Sequence, residues 1–144
     1  MRFLLFIAFS IVCLTVSAQT NNAAISFVMG GGSVANMYKA SGSDTIYMKK
    51  KWIQTIELIF LYSKSKKVKY GPPVEYKVSY ISKGNKNNTD FLCTTQMFSD
   101  EIKSSFAQCK IGDVYILKDF KVNGFNNKNG IFPVRMSYTI AVIE

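Results

Sequence analysis

The stretch Phe98–Gly124, FSDEIKSSFAQCKIGDVYILKDFKVNG, combines the clearest helix signal of the chain with a sharp turn and a strongly patterned strand. Ser99 or Asp100 can cap a helix, and Asp100 and Glu101 favour the positive helix N-terminus. Ile102 and Phe106 are four residues apart, so they share one helical face. We therefore predict one short helix near residues 99–108, which depends on tertiary packing because it is too short to be stable alone.

Outside this helix, strand patterns dominate the chain. Apolar and polar residues alternate with a period of two, as in strands with one buried face, in four segments: Trp52–Tyr62, Val74–Ile81, Val114–Val122 and Val134–Val142. Weaker strand patterns occur in three further segments: Ala24–Met29, Thr45–Met48 and Asp90–Thr94.

Two of these strands carry specific predictions about which side chains are buried. In Trp52–Tyr62 the alternation places these residues on one face: Trp52, Ile56, Leu58 and Phe60. In Val134–Val142 these residues are predicted to face inward: Val134, Met136, Tyr138, Ile140 and Val142.

The segments between the strands are rich in turn-forming residues. Gly30-Gly31-Gly32 and Gly71-Pro72-Pro73 lie between predicted strands, and polar tips follow Ser82 and Asn126. About seven short strands at this spacing favour an all-β, immunoglobulin-like β-sandwich with one short helix. No internal repeat or linker is visible, so residues 19–144 are predicted to form a single domain.

The first eighteen residues have the pattern of a secretory signal peptide. Arg2 is the positive n-region, Phe3–Leu14 is an apolar core, and Val16-Ser17-Ala18 is a small-residue cleavage site. The apolar run of about 12 residues is shorter than the roughly 18 expected of a membrane span. An uncleaved anchor is the alternative. The sequence predicts an exported protein, periplasmic or secreted, with no stable membrane span after cleavage.

Composition argues against several functional classes. The chain has no histidine, which is the side chain best suited to proton transfer at neutral pH and the commonest metal ligand. The serines lack a nucleophile-elbow motif, and the glycine run lacks the Gly-Lys-Ser/Thr ending of a phosphate-binding loop. We therefore expect no catalytic, cofactor-binding or metal site, no small-molecule substrate and no enzyme activity.

Basic residues outnumber acidic ones by 18 to 9, and nearly all of them are lysine. Lysine is a hydrated point charge that is poorly suited to bidentate reading of bases or phosphates. The excess therefore indicates solubility and acidic partners in general, with no specific nucleic-acid binding.

Lysines and tyrosines are interleaved in one short segment. Its lysines are Lys64, Lys66, Lys67 and Lys69, and Tyr62 and Tyr70 flank them. Such a pattern is compatible with a basic surface that binds acidic glycans or single strands of nucleic acid. A solvated hairpin tip that protects a strand edge is the alternative that we favour.

Cys93 and Cys109 remain after the predicted signal cleavage. Export would allow a disulfide, which would close a loop of about 15 residues and stabilise the fold by about 3 kcal/mol. Two buried free thiols that pack as small hydrophobic side chains are the alternative. The sequence does not decide between them, because it does not give the distance between the two Cα atoms.

One ordered set of motifs resembles the C-terminal domain of the gliding-motility protein family GldM, called PorM in related secretion systems. The set comprises the strands Trp52–Tyr62 and Val74–Ile81, then Phe98–Ile102, then Gly112–Gly124, read as GDVYILKDFKVNG, and finally Val134–Ile143. The similarity extends over roughly Gly30–Ile143 and is sharp from Phe98 onward. The Ser17-Ala18-Gln19 ending of the signal also suits a Bacteroidota protein.

The resemblance implies a β-rich interaction module. Members of this family belong to the inner-membrane motor of type IX secretion and gliding, and their C-terminal domain is thought to contact a ring at the outer membrane. This chain lacks the family's transmembrane helix, so the resemblance covers only the domain. It implies that Gly112, Asp113, Asp119 and Gly124 shape turns more than they bind a ligand.

Two functional hypotheses follow from these observations. The first is a non-enzymatic exported module that binds an envelope protein, such as a secretion or motility ring component, through a strand edge or the helix side. The second is a secreted adhesin that binds glycans or surfaces through exposed tyrosine and lysine side chains. Exposure of Tyr62 and Tyr70 in one shallow groove would favour the adhesin.

Overall fold

A computed structural model describes residues 23–30, 34–35, 45–63 and 69–144 of the chain. The predicted signal segment, residues 1–18, lies outside these ranges, as do Lys64, Lys66 and Lys67. Among the described residues, no helix combines the length and apolar character needed to cross a membrane.

The described residues form strands and two helices. In chain order they are β1 (Ala23–Met29), β2 (Val34–Ala35), β3 (Thr45–Lys49), α1 (Lys50–Ile53), β4 (Ile56–Ser63), β5 (Pro73–Ile81), β6 (Asn88–Cys93), α2 (Asp100–Gln108), β7 (Val114–Phe125), β8 (Lys128–Val134) and β9 (Tyr138–Ile143).

These strands form two sheets that share one core. The small sheet has the order β2-β1-β4, and the large sheet has the order β3-β9-β7-β5-β6, with β8 paired to β7. Neighbouring strands are antiparallel except β3 and β9, which are parallel. Apolar side chains from both sheets belong to one buried cluster, which includes Phe27, Ile59, Val78, Leu117 and Ile140. The predicted all-β sandwich with a short helix is therefore confirmed.

Helix α2 forms where the sequence predicts it. The Ser99 hydroxyl accepts a hydrogen bond from the Ile102 N–H, which satisfies one of the otherwise unpaired donors of the first turn. Ile102 and Phe106 are both buried. The Phe106 ring packs edge-on against Tyr115 of β7, with 4.9 Å between the ring centroids, and against Phe98 at 5.1 Å. Aromatic packing thus supplies the tertiary support that the short helix needs.

The predicted strand Trp52–Tyr62 is wrong in its first part. Residues Lys50–Ile53 form the single turn α1, and Ile53 is completely buried in the core. The Thr55 N–H and hydroxyl both donate to the Trp52 carbonyl oxygen and end this turn. Strand β4 begins only at Ile56, so Trp52 does not belong to it.

The predicted buried face of this strand is also wrong beyond Ile56. Ile59 and Leu61 face the core, whereas Phe60 is 44% exposed and Leu58 is half-buried. The register against β1 shifts at Val28 and Met29, which lets Ile56 stay buried although it has the same parity as Leu58 and Phe60. Non-local pairing therefore decides which side of β4 is buried.

The predicted strand Val134–Val142 is interrupted. All five side chains predicted to face inward are buried, but Val134 ends β8 and β9 begins at Tyr138. Strand β7 pairs with β9 up to Leu117 and with β8 from Phe120 onward. The ladder opens between these pairs, where Asp119 has a left-handed backbone conformation with φ of 56°.

Candidate interaction surfaces

The Gly112-Asp113 turn connects α2 to β7 and contains a buried carboxylate. Gly112 has φ of 95°, a left-handed conformation that costs glycine little, and its N–H donates to the Val142 carbonyl oxygen. Asp113 is completely buried. Its backbone carbonyl oxygen accepts from the Val142 N–H, so the turn is joined to β9 in both directions.

Three donors surround the Asp113 carboxylate. The Lys83 N–H donates to Oδ1 at 2.9 Å, and the Lys110 N–H and the Tyr80 hydroxyl donate to Oδ2 at 2.8 and 2.9 Å. Burial opposes ionisation of this carboxyl group, but the hydrogen bonds from Lys83, Lys110 and Tyr80 outweigh it, and the pKa of Asp113 is lowered. We call these four residues the Asp113 clamp. All three hydrogen-bond donors to the Asp113 carboxylate come from within the protein, which is typical of a structural group.

Gly124 and the two cysteines, which the sequence also singled out, lie at structural positions within the fold. Gly124 has φ of 100° near the end of β7. Cys93 and Cys109 are both buried, and no disulfide joins them in the structure. Cys93 ends β6 opposite Tyr76, whereas Cys109 forms the C-terminal cap of α2. Burial raises the pKa of the Cys109 thiol, which keeps it protonated and unreactive at neutral pH.

Tyr62 and Tyr70 lie in different parts of the sandwich. Tyr62 is on β4 of the small sheet and is 51% exposed. Tyr70 is half-buried and bridges to Phe125 of the large sheet, with 5.6 Å between the ring centroids. Lys69, the described member of the predicted basic surface, is exposed, and its N–H donates to the Asn126 side chain. The two tyrosines thus have different surroundings, one exposed and one packed against Phe125.

The outer side of the small sheet presents a row of apolar side chains. Val28 lies directly opposite Leu58, and Leu58 forms a bridge with Met97, so the three side chains share one face. Phe60 and Tyr62 follow on the same face of β4, since alternate residues point the same way. We call these five residues the outer apolar face.

Three members of the outer apolar face are substantially exposed. The exposed fractions are 44% for Phe60, 51% for Tyr62 and 48% for Met97. Isolated exposed apolar residues are common on protein surfaces, but a contiguous apolar group is typical of an interaction site. Sequence reasoning missed this surface because it assigned Leu58 and Phe60 to the core.

The edge of β4 beside this face is already occupied. The Ile59 N–H donates to the Gln96 carbonyl oxygen at 3.0 Å, and the Phe98 N–H donates to the Glu57 carbonyl oxygen at 3.1 Å. Residues 96–98 therefore cover part of the edge to which an added strand would bind. A partner at this surface would contact the side chains of the face and not the backbone of this edge.

Within the described ranges, no three cysteine or acidic residues come close enough to hold a metal ion. No protein-family model matches the chain, and no curated protein sequence matches it. The resemblance to the GldM C-terminal domain therefore depends on the motif residues alone.

Proposed function

We propose that this chain is a non-enzymatic, exported protein-interaction module that resembles the GldM C-terminal domain. In this proposal its partner is another envelope protein, and its role is accessory to type IX secretion or gliding motility. The observation that carries the proposal is the outer apolar face, which exposes Phe60, Tyr62 and Met97 side by side. Aromatic residues and methionine are enriched at the centres of protein interfaces.

The internal packing and hydrogen bonding of the Phe98–Gly124 motif region also support this proposal. In the Phe98–Gly124 region, the helix packs on Tyr115 and the Asp113 clamp is internally satisfied. These residues have a structural role, which agrees with a module whose partner contacts lie elsewhere. The adhesin alternative has weaker support, because Tyr70 is half-buried against Phe125 and, of the two tyrosines, Tyr62 alone is exposed.

The test is capture of partners from Bacteroidota envelope extracts with the purified chain and two variants. The double variant Phe60→Ser/Tyr62→Ser removes the two aromatic side chains of the outer apolar face. Tyr47→Ser is the matched control, because Tyr47 is 53% exposed on β3 of the other sheet.

We expect the native chain and the control to retain a secretion or motility ring component. The double variant should lose it, because removing two central aromatic anchors costs an interface on the order of 2 kcal/mol or more. Repeated captures that contain no such component, or equal capture by the double variant, would contradict the proposal. Thermal unfolding of all three proteins shows whether each variant is folded.

A further inference from the structure

A groove lies where the ladder between β7 and the β8–β9 segment opens. Leu117 pairs with Tyr138 and Phe120 pairs with Val134, but these ladders contain no pair between them. The groove has a volume of about 630 Å³, and residues 118–121 and 133–137 line it. We call it the ladder groove.

The interior of the ladder groove is apolar and its rim is charged. Phe120, Val134 and Met136 are buried and form the apolar part, and Pro133 is an exposed wall. Lysine and arginine side chains from both sides of the opening also line the groove, together with Asp119 and Ser137.

Among the described residues, two of the charged side chains on the rim form ion pairs, and two others do not. The Asp119 carboxylate is 3.2 Å from the Lys77 amine, and the Lys121 amine is 2.7 Å from the Glu75 carboxylate. Within the described part of the chain, Lys118 and Arg135 form no ion pair. Two cations from opposite sides of the groove are thus available to an outside anion.

We propose that the ladder groove binds an extended, acidic segment of a partner protein. A segment that lies across the groove can reach cations on both sides of it, because Lys118 is on β7 and Arg135 directly follows β8. Glutamate or aspartate side chains of the segment would pair with Lys118 and Arg135. Its apolar side chains would contact Pro133 and Met136.

The apolar lining favours a peptide over a sulfated glycan or a nucleic acid backbone. A polyanion without apolar groups would leave the Pro133 and Met136 surfaces without a contact. Arginine also matches the planar geometry of a carboxylate, with two parallel hydrogen bonds. This groove is on the large sheet and the outer apolar face is on the small sheet, so the inference is independent of the function proposed above.

The experiment measures binding of a labelled peptide of about ten residues that alternates glutamate and valine, so that it offers both carboxylates and apolar side chains to the groove. A peptide with glutamine in place of glutamate is the neutral comparison. The full chain is compared with Lys118→Gln/Arg135→Gln and with Lys86→Gln/Lys103→Gln, which removes the same charge from residues outside the groove. Fluorescence anisotropy at low salt reports affinity, and the thermal midpoint of each protein reports folding.

We expect the groove variant to bind the acidic peptide about tenfold more weakly, because two charge-assisted contacts are lost, and the control variant to be within about twofold of the native chain. Equal weakening in both variants would show general attraction to a basic protein and would overturn the proposal. So would equal binding of the glutamine peptide, or a sulfated oligosaccharide that binds the groove more tightly than the peptide does. A peptide that does not bind the folded native chain would overturn it as well.

Discussion

The two halves of β7 belong to different environments although they form one continuous strand. The first half, residues 114–118, starts at the Asp113 clamp and packs under α2, where Tyr115 and Leu117 are completely buried. The second half, residues 119–125, continues into a hairpin with β8, of which Ile131 is 59% exposed. The first half is enclosed by α2 and the Asp113 clamp, whereas the second half places Phe120 and Val122 in the core and presents surface at its hairpin end. The resemblance to GldM extends over both halves, so motif likeness alone does not separate these roles.

The largest expected difference in stability is between two phenylalanine-to-alanine variants, one next to each half of β7. Phe106→Ala removes a completely buried α2 ring that packs against Tyr115 of the first half, and it should lower the free energy of unfolding by about 3–5 kcal/mol. Phe125→Ala removes a half-buried ring that contacts Tyr70 and Phe132 and should cost about 1–2 kcal/mol. Urea unfolding of both variants measures the difference. Equal losses would remove the distinction between the halves.

A second pair of variants concerns the two aspartates at the ends of the first half. Asp113→Asn replaces a carboxylate oxygen with an NH₂ group among three donors, and we expect a loss of about 2–4 kcal/mol. Asp119→Asn is the matched control. Its ion pair with Lys77 is exposed, and asparagine tolerates the left-handed backbone, so the change should be below about 0.5 kcal/mol. Chemical denaturation at neutral pH compares the two, and a small loss for Asp113→Asn would show that the clamp is dispensable.

The Asp113 clamp also predicts a pH dependence. Because the pKa of Asp113 is lower in the folded than in the unfolded chain, its ionised form stabilises the fold above the ordinary aspartate pKa near 4. That contribution is lost as the pH falls through the lower, folded-state pKa. The stability difference between the native chain and Asp113→Asn should therefore shrink as the pH is lowered from 6 to 2 or so. A difference that stays constant over this range would mean that the carboxylate charge does not contribute.

Local features of the fold were predictable from the sequence. The α2 helix follows from Ser99, Ile102 and Phe106, which interact within two turns of chain. The side chains of β9 were assigned to the correct face, because one alternation pattern persists across the interruption at residues 135–137. Because the alternation continues across residues 135–137, the sequence did not reveal the interruption between β8 and β9 or the ladder groove beside it.

Features that depend on distant partners were not predictable. The buried side of β4 is set by its register with β1 and by the 96–98 segment, so its alternation suggested the wrong face. Two of the Asp113 donors, Tyr80 and Lys83, are about thirty residues away in the chain. Lys118 and Arg135 meet at one groove only because β7 and β8 form a hairpin.

Native-state hydrogen exchange tests the comparison between the two halves of β7 most directly. We predict that the amides of Tyr115 and Leu117 exchange only through global unfolding, at the free energy that urea unfolding measures. The amides of Asn123 and Phe125 should exchange through local opening at a clearly lower free energy. Equal protection along the whole of β7 would contradict the distinction between its enclosed first half and its hairpin end.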